Sequence, residues 1–134
     1  MIDVDAVFER TQTNRLLGMR LLSRSPDRVE VELPVRPELL QEEGVVHGGL
    51  LSTLCDTAAV YLAWPELQPD RTMTSIEFKM NFLAAGLPDR GPVRAVATVL
   101  RRGSSVLVCE SEAFQQDQRL CKGTFTYLVR DRRR

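Results

Sequence analysis

The spacing of apolar residues divides the chain into segments of different period. Over residues 3–17, Val4, Val7, Phe8, Leu16 and Leu17 recur near helical spacing, which predicts a short amphipathic helix within the N-terminal 1–17 stretch. From Gly18 the pattern tightens to Met19, Leu21 and Leu22, then the turn Ser25-Pro26-Asp27-Arg28, then Val29, Val31, Leu33 and Val35. Alternation over 29–35 after a Pro-Asp turn predicts a β-hairpin, ended by Pro34 and Pro37, with a loop over 36–46. Residues 47–64 are apolar on nearly every side: Leu50, Leu51, Leu54, Cys55, Ala58, Ala59, Tyr61 and Leu62 leave almost no polar face, and Asp56 is the only formal charge unless His47 is protonated. A helix of that kind is a buried one, and Pro65 stops it. Residues 72–83, 92–101, 104–114 and 120–129 are rich in Val, Thr, Phe and Leu and predict strands. Gly86-Leu87-Pro88, Asp89-Arg90-Gly91-Pro92, Gly103-Ser104 and Asp117-Gln118 punctuate them as turns.

Two strands, one buried helix and three or four long strands describe a single α+β domain over 1–134, a curved antiparallel sheet of five to six strands wrapped around one central helix. One helix cannot cover a sheet whose edges stay open. Pairing of edges between subunits is the remedy, so a homo-oligomer is expected, a dimer at least.

Composition narrows the function classes. With 134 residues, 43% hydrophobic, 27% charged and formal net charge +0, the chain carries no electrostatic footprint for nucleic acid. The basic cluster Arg130, Arg132, Arg133 and Arg134 has no interleaved aromatics and is expected to be a solvated tail over 130–134. No apolar run approaches the roughly 18 residues of a membrane span, and the acidic start Met1-Ile2-Asp3-Val4-Asp5 is unlike a secretory or mitochondrial signal, so a cytoplasmic protein is expected. Cys55, Cys109 and Cys121 lack C-x-x-C spacing and are expected in the core rather than on zinc or in a disulfide.

Candidate chemistry concentrates around the central helix. Gly48 and Gly49 at a helix start cost conformational entropy, which makes sense if a group must approach the backbone there; tight packing of the junction is the other explanation. Unpaired N–H groups and the positive end of the helix dipole suit a carbonyl oxygen gaining charge. Asp56 in mid-helix is a poor helix former and expensive to desolvate. It is either structural, paired to a distant Arg or capping a loop, or functional, with burial raising its pKa toward that of a neutral-pH base or nucleophile. Eight residues separate Gly48 from Asp56, about 12 Å along the axis, so one substrate carbonyl cannot meet both in one chain. If both act on one substrate, a second subunit's helix must run alongside, antiparallel. His47 is the single histidine, which excludes a multi-histidine metal site; no G-x-S-x-G elbow, phosphate loop or dinucleotide fingerprint exists. His47 is either structural or orients the loop or the substrate.

The segment Gly44-Val45-Val46-His47-Gly48-Gly49-Leu50, with Asp56 nine positions after His47, resembles the phenylacetate-degradation-type branch of the hotdog-fold thioesterases, which includes 4-hydroxybenzoyl-CoA-type enzymes. The likeness extends to Thr74-Ser75-Ile76-Glu77-Phe78-Lys79-Met80-Asn81-Phe82-Leu83 and to Val99-Leu100-Arg101-Arg102-Gly103-Ser104-Ser105, and covers about residues 10–130. It implies a hotdog fold, subunits paired into one continuous sheet, often a dimer of dimers, and hydrolysis of an acyl-CoA without a cofactor. It also implies residue roles: Asp56 attacks the thioester or activates water, the Gly48 N–H polarises the carbonyl from the other subunit, and Gln41 helps to position carbonyl or water. Ser75, or its neighbour Thr74, holds the water. Gly49 lies beside the carbonyl site, and Arg101, Arg102, Gly103 and Ser104 lie where members contact the phosphates or pantetheine of CoA, surface charge at a turn being the alternative for the two arginines. Gln41 stands where Asn is commoner, and Glu42 and Glu43 would disfavour anionic acyl groups. Leu51, Leu54, Tyr61 and Phe82 are candidates to line an apolar or aromatic acyl pocket. An acyl-CoA-binding domain without catalysis, or a hydratase or dehydratase of the same fold, are the other function classes.

Overall fold

The computed structural model describes residues 2–133; Met1 and Arg134, the last residue of the expected basic tail, lie outside the described residues. The N-terminal segment is two helices rather than one, α1 (Val4–Arg10) and α2 (Gln12–Leu17). The break is Thr11, whose extended backbone (φ −68°, ψ 118°) ends the first helix and begins the second. Gly18 at φ 72° closes α2 in the left-handed conformation that glycine adopts freely. The hairpin follows as β1 (Arg20–Arg24) and β2 (Arg28–Leu33). The loop beyond it holds one 3-10 turn at Pro37–Leu39 and a bridge between Leu40 and Val46. The central helix α3 runs Gly48–Ala63, with His47 as its cap and a 3-10 turn at Trp64–Glu66 where Pro65 prevents continuation. Four strands complete the chain: β3 (Arg71–Phe82), β4 (Val93–Arg102), β5 (Val106–Gln115) and β6 (Gln118–Asp131). The first residues of the expected tail, Arg130 and Asp131, are the end of β6, paired with Thr72 and Arg71.

The six strands form one antiparallel sheet in the order β1-β2-β4-β5-β6-β3. Bulges at Leu22, Ile76 and Leu100 interrupt the register and bend the strands, which lets the sheet curl around α3. Alternation fills the concave face with Val29, Val31, Val93, Ala95, Ala97, Leu107, Cys109, Ala113, Phe125 and Tyr127, all buried. Against them lie Leu51, Leu54, Cys55, Ala58, Ala59 and Leu62 of α3. The alanines matter because they let the helix sit close to the strands. The three cysteines are buried free thiols, with Cys55 and Cys121 sulfurs 3.8 Å apart. Asn14 and Thr11 contact the Tyr61 hydroxyl at 3.3 and 3.2 Å, and Phe8 packs edge-on against its ring, which ties α1 and α2 to α3.

The helix lies on β2, β4 and β5, touches β6 less, and leaves the edge strand β3 largely uncovered. Ile76, Phe78 and Phe82 on β3 are therefore exposed. No helix among the described residues is long and apolar enough to cross a membrane. One close approach fixes β3 to its neighbour: a Cβ at Gly123 of β6 would lie 2.7 Å from the Lys79 carbonyl oxygen. Backbone cannot yield as a side chain can, so Gly123→Ala is expected to destabilise the fold by about 1–3 kcal/mol, read as a lower urea midpoint at unchanged slope.

Candidate active site

The first turn of α3 is organised by His47. Its extended backbone (φ −58°, ψ 128°) leads into the helix, and its Nδ1 accepts the Gly49 N–H at 2.9 Å. An accepting Nδ1 carries no proton, which leaves Nε2 as the ring nitrogen that bears hydrogen. Leu50 N–H turns back to the His47 carbonyl at 2.9 Å. With those two donors satisfied, the Gly48 N–H has no hydrogen-bond partner among the described residues. The two glycines are explained differently. A Cβ at Gly49 would fall 2.9 Å from His47 Cε1, so Gly49 makes room for the capping ring. A Cβ at Gly48 would fall 3.3 Å from Phe82 Cε1, so the group approaching Gly48 in this chain is the ring that ends β3. Gln41 sits in the preceding loop, its side-chain oxygen accepting from the Glu43 N–H and its carbonyl from the Gly44 N–H at 2.9 Å. Its Nε2 has no hydrogen-bond partner among the described residues.

Asp56 lies on a half-exposed stripe of α3 with Thr53, Thr57 and Val60, the side of the helix that the sheet covers least. The helix is thus less completely buried than its apolar sequence predicts, and Asp56 is half-buried rather than enclosed. The Tyr127 hydroxyl of β6 donates to Asp56 Oδ1 at 2.7 Å. No Arg, Lys or His pairs with the carboxylate among the described residues, so the distant-arginine alternative is absent there. Burial raises the Asp56 pKa above its ordinary value, and the Tyr127 hydrogen bond offsets part of that rise. The hydroxyls of Ser52, Thr53 and Thr57 bond back to carbonyls four residues earlier, which satisfies them without Asp56.

Strand register places the remaining candidates. Ser75 pairs with Tyr127 and so shares with it the concave face of the sheet. Thr74 pairs with Leu128, one residue on, and points to the opposite face. Alternation separates the two hairpin arginines in the same way, with the bulge at Leu100 setting the phase: Arg102 pairs with buried Leu107 on the concave side, whereas Arg101 pairs with Val108 on the convex side. Arg102, Gly103 and Ser104 line a groove of about 410 Å³ with Glu66, Asp70 and Arg71. Its charges are mixed: Arg71 pairs with Asp131 at 3.1 Å, and Arg102 donates to the Pro26 carbonyl at 3.1 Å. Leu51, Leu54 and Tyr61 are core residues; of the four acyl-lining candidates only Phe82 is exposed. The chain therefore brings His47 and Phe82 to Gly48 at the helix N-terminus, and Tyr127 to Asp56 at mid-helix; Gln41 stays within the preceding loop, and Ser75 is placed only by its pairing with Tyr127. Tyr127 carried no mark in the sequence beyond its inward position on β6.

Known proteins of similar sequence and shape agree with this architecture. The 1,4-dihydroxy-2-naphthoyl-CoA hydrolase of Listeria monocytogenes is 28% identical over 119 residues, 88% of this chain and 95% of that protein. The crystal structure of a thioesterase from Haemophilus influenzae superposes with a TM-score of 0.89 at 21% identity, over 98% of this chain and 92% of that one. The E. coli PaaI protein from the phenylacetic acid degradation operon superposes with a TM-score of 0.83 at 23% identity, over 92% and 87%. These two superpositions share the hotdog fold, the curled sheet around one helix. The sequence profile of the Thioesterase superfamily matches residues 43–122, the span from the loop before α3 into β6, and the chain belongs to that family.

Proposed function

We propose that the chain is a cytoplasmic, cofactor-independent thioesterase that hydrolyses an acyl-CoA to the free acid and CoA in a site shared between two subunits. The observation that carries this is the state of Asp56: a half-buried carboxylate in mid-helix, with no cation beside it among the described residues and a pKa raised by burial. A group of that kind is suited to take a proton near neutral pH or to attack a carbonyl. The unpaired Gly48 N–H at the positive end of α3 supplies what a thioester oxygen needs as it gains charge.

In the base route, a water held by Ser75 gives a proton to Asp56 and its oxygen bonds to the thioester carbon. The carbonyl oxygen becomes an oxyanion held by the partner's Gly48 N–H; collapse breaks the carbon–sulfur bond and releases CoA thiolate. In the nucleophile route, an Asp56 oxygen bonds to the carbon first, CoA thiolate leaves, and water cleaves the resulting anhydride. Thiolate is a good leaving group, so neither route needs a strong acid. Pairing of subunits is supported by the open, apolar β3 edge and by the half-exposed stripe of α3 that bears Asp56. A dimer of dimers would add a further interface without changing the site.

Phe82 beside Gly48 supports an apolar or aromatic acyl group, and exposed Glu42 and Glu43 disfavour an anionic one. The Listeria relative, named as a naphthoyl-CoA hydrolase, points the same way. A thiol-release assay over aromatic, straight-chain and dicarboxylic acyl-CoAs is expected to show the first two classes cleaved and the last turned over at least about tenfold more slowly, an electrostatic penalty of about 1.4 kcal/mol. Tight binding with no thiol released would mark a binding domain. Loss of enoyl-CoA absorbance without thiol release would mark a hydratase.

A further inference from the structure

We propose that Tyr127 is a positioning residue for Asp56: its buried hydroxyl pins Oδ1 and so aims Oδ2 at the reacting carbonyl or water. This rests on Asp56 being the reacting carboxylate. The Tyr127 ring is 1% exposed on the concave face of β6, and its hydroxyl meets Oδ1 at 2.7 Å. A buried phenol needs a hydrogen-bond partner, and Asp56 is the partner it has. Asp56 in turn has no other side-chain hydrogen bond and no ion pair among the described residues, so one oxygen is fixed and the other is available.

The surroundings keep Tyr127 a donor. Burial, and then the nearby Asp56 charge, push its ionisation well above the ordinary phenol range, so it does not exchange a proton with the carboxylate at neutral pH. The other titratable groups close by are thiols. Cys55, next to Asp56 on α3, is held up by its hydrogen bond with Cys121 and by burial; Cys109 on β5 is pushed up to about 11 by burial. Both stay neutral where Asp56 works. Ser75, opposite Tyr127 in the β3–β6 register, brings the water-holding hydroxyl to the same face. Strand β6 thus orders the carboxylate and borders the residue that would present water to it. The geometry also separates two effects on acidity, since burial raises the Asp56 pKa and Tyr127 lowers it.

The test compares wild type, Tyr127→Phe, Asp56→Asn and the double variant in acyl-CoA hydrolysis between pH 4 and 9. Tyr127→Phe is expected to lower kcat by about 10–100-fold with KM within about threefold, the size of a misaimed reacting group. The acid limb of its kcat profile should move to higher pH, because the effect that lowers the Asp56 pKa is gone while burial remains. In the Asp56→Asn background the same change should cost nothing further. A Tyr127→Phe enzyme with wild-type kcat and an unmoved limb overturns the positioning role, even if its melting temperature falls. Should that variant melt below the assay temperature, 3-fluorotyrosine at 127 replaces it. Its more acidic phenol is a stronger donor, so the limb should move to lower pH, and an unmoved limb overturns the role equally. An active Asp56→Asn enzyme instead removes the proposed function itself, so the two failures are distinct.

Discussion

Asp56→Asn is expected to lower kcat by about 10²–10⁴-fold if the carboxylate is a general base, and further if it is the nucleophile, with the fold intact. Asn matches the shape and still offers Oδ1 to the Tyr127 hydroxyl, so the change removes basicity and little else. An active Asn variant would refute the assignment. Single turnover in labelled water separates the routes: label entering Asp56 marks the anhydride, and label confined to the released acid marks direct attack by water. The same substitution should stabilise the protein. The folded-state pKa of Asp56 is raised, so its contribution to stability is full below the unfolded value, about 3.9, and is lost as pH rises through the folded value. Asn never ionises. Melting temperatures should therefore favour the variant at neutral pH and converge with wild type as the pH falls toward 4. A variant that gains activity loss without gaining stability at neutral pH would show that the carboxylate is better solvated than its position implies.

The period of apolar residues was enough for the layer architecture, because burial on one face of a strand or all round a helix leaves a direct trace in sequence. The predicted 47–64 helix is observed at Gly48–Ala63, and each long strand begins and ends within two residues of its predicted bounds. Features that depend on a shift in phase left no such trace. The bulges at Ile76 and Leu100 reverse which neighbours face inward, so adjacent Arg101 and Arg102 could not be assigned to faces before the register was known. The Thr11 break was hidden because an extended residue between two helical turns barely disturbs the apolar spacing. The candidate site divides similarly. Asp56, Gly48 and His47 stood out through residue type and spacing on one helix. Tyr127 did not, and Phe82 stood out only as an acyl-lining candidate, because their relation to that helix arises only when β3 and β6 close beside it. For Gly49 the packing explanation has an observation behind it, since a Cβ there would meet the His47 ring.

The strongest test of a site shared between subunits combines two defective chains. Gly48 is the first residue of α3, the position where proline is best tolerated because its missing N–H has no partner within the helix. His47 already has the extended backbone that a residue before proline requires. The Phe82 ring that a new Cβ would meet is exposed and can move by the few tenths of an ångström needed. Gly48→Pro therefore deletes the proposed oxyanion donor while keeping the helix, and should lower kcat by about 10²–10³-fold. Asp56→Asn is inactive for the complementary reason. In a heterodimer of the two, one site pairs the intact Asp56 of the first chain with the intact Gly48 of the second, and the other site lacks both. Co-refolding equal amounts at random makes half the dimers mixed, each with one working site of two, so about a quarter of wild-type activity should return. Were each site contained in one chain, every site in the mixture would carry a defect and none would return. The separation of about 12 Å between Gly48 and Asp56 along one helix requires the first outcome if both residues act on one carbonyl.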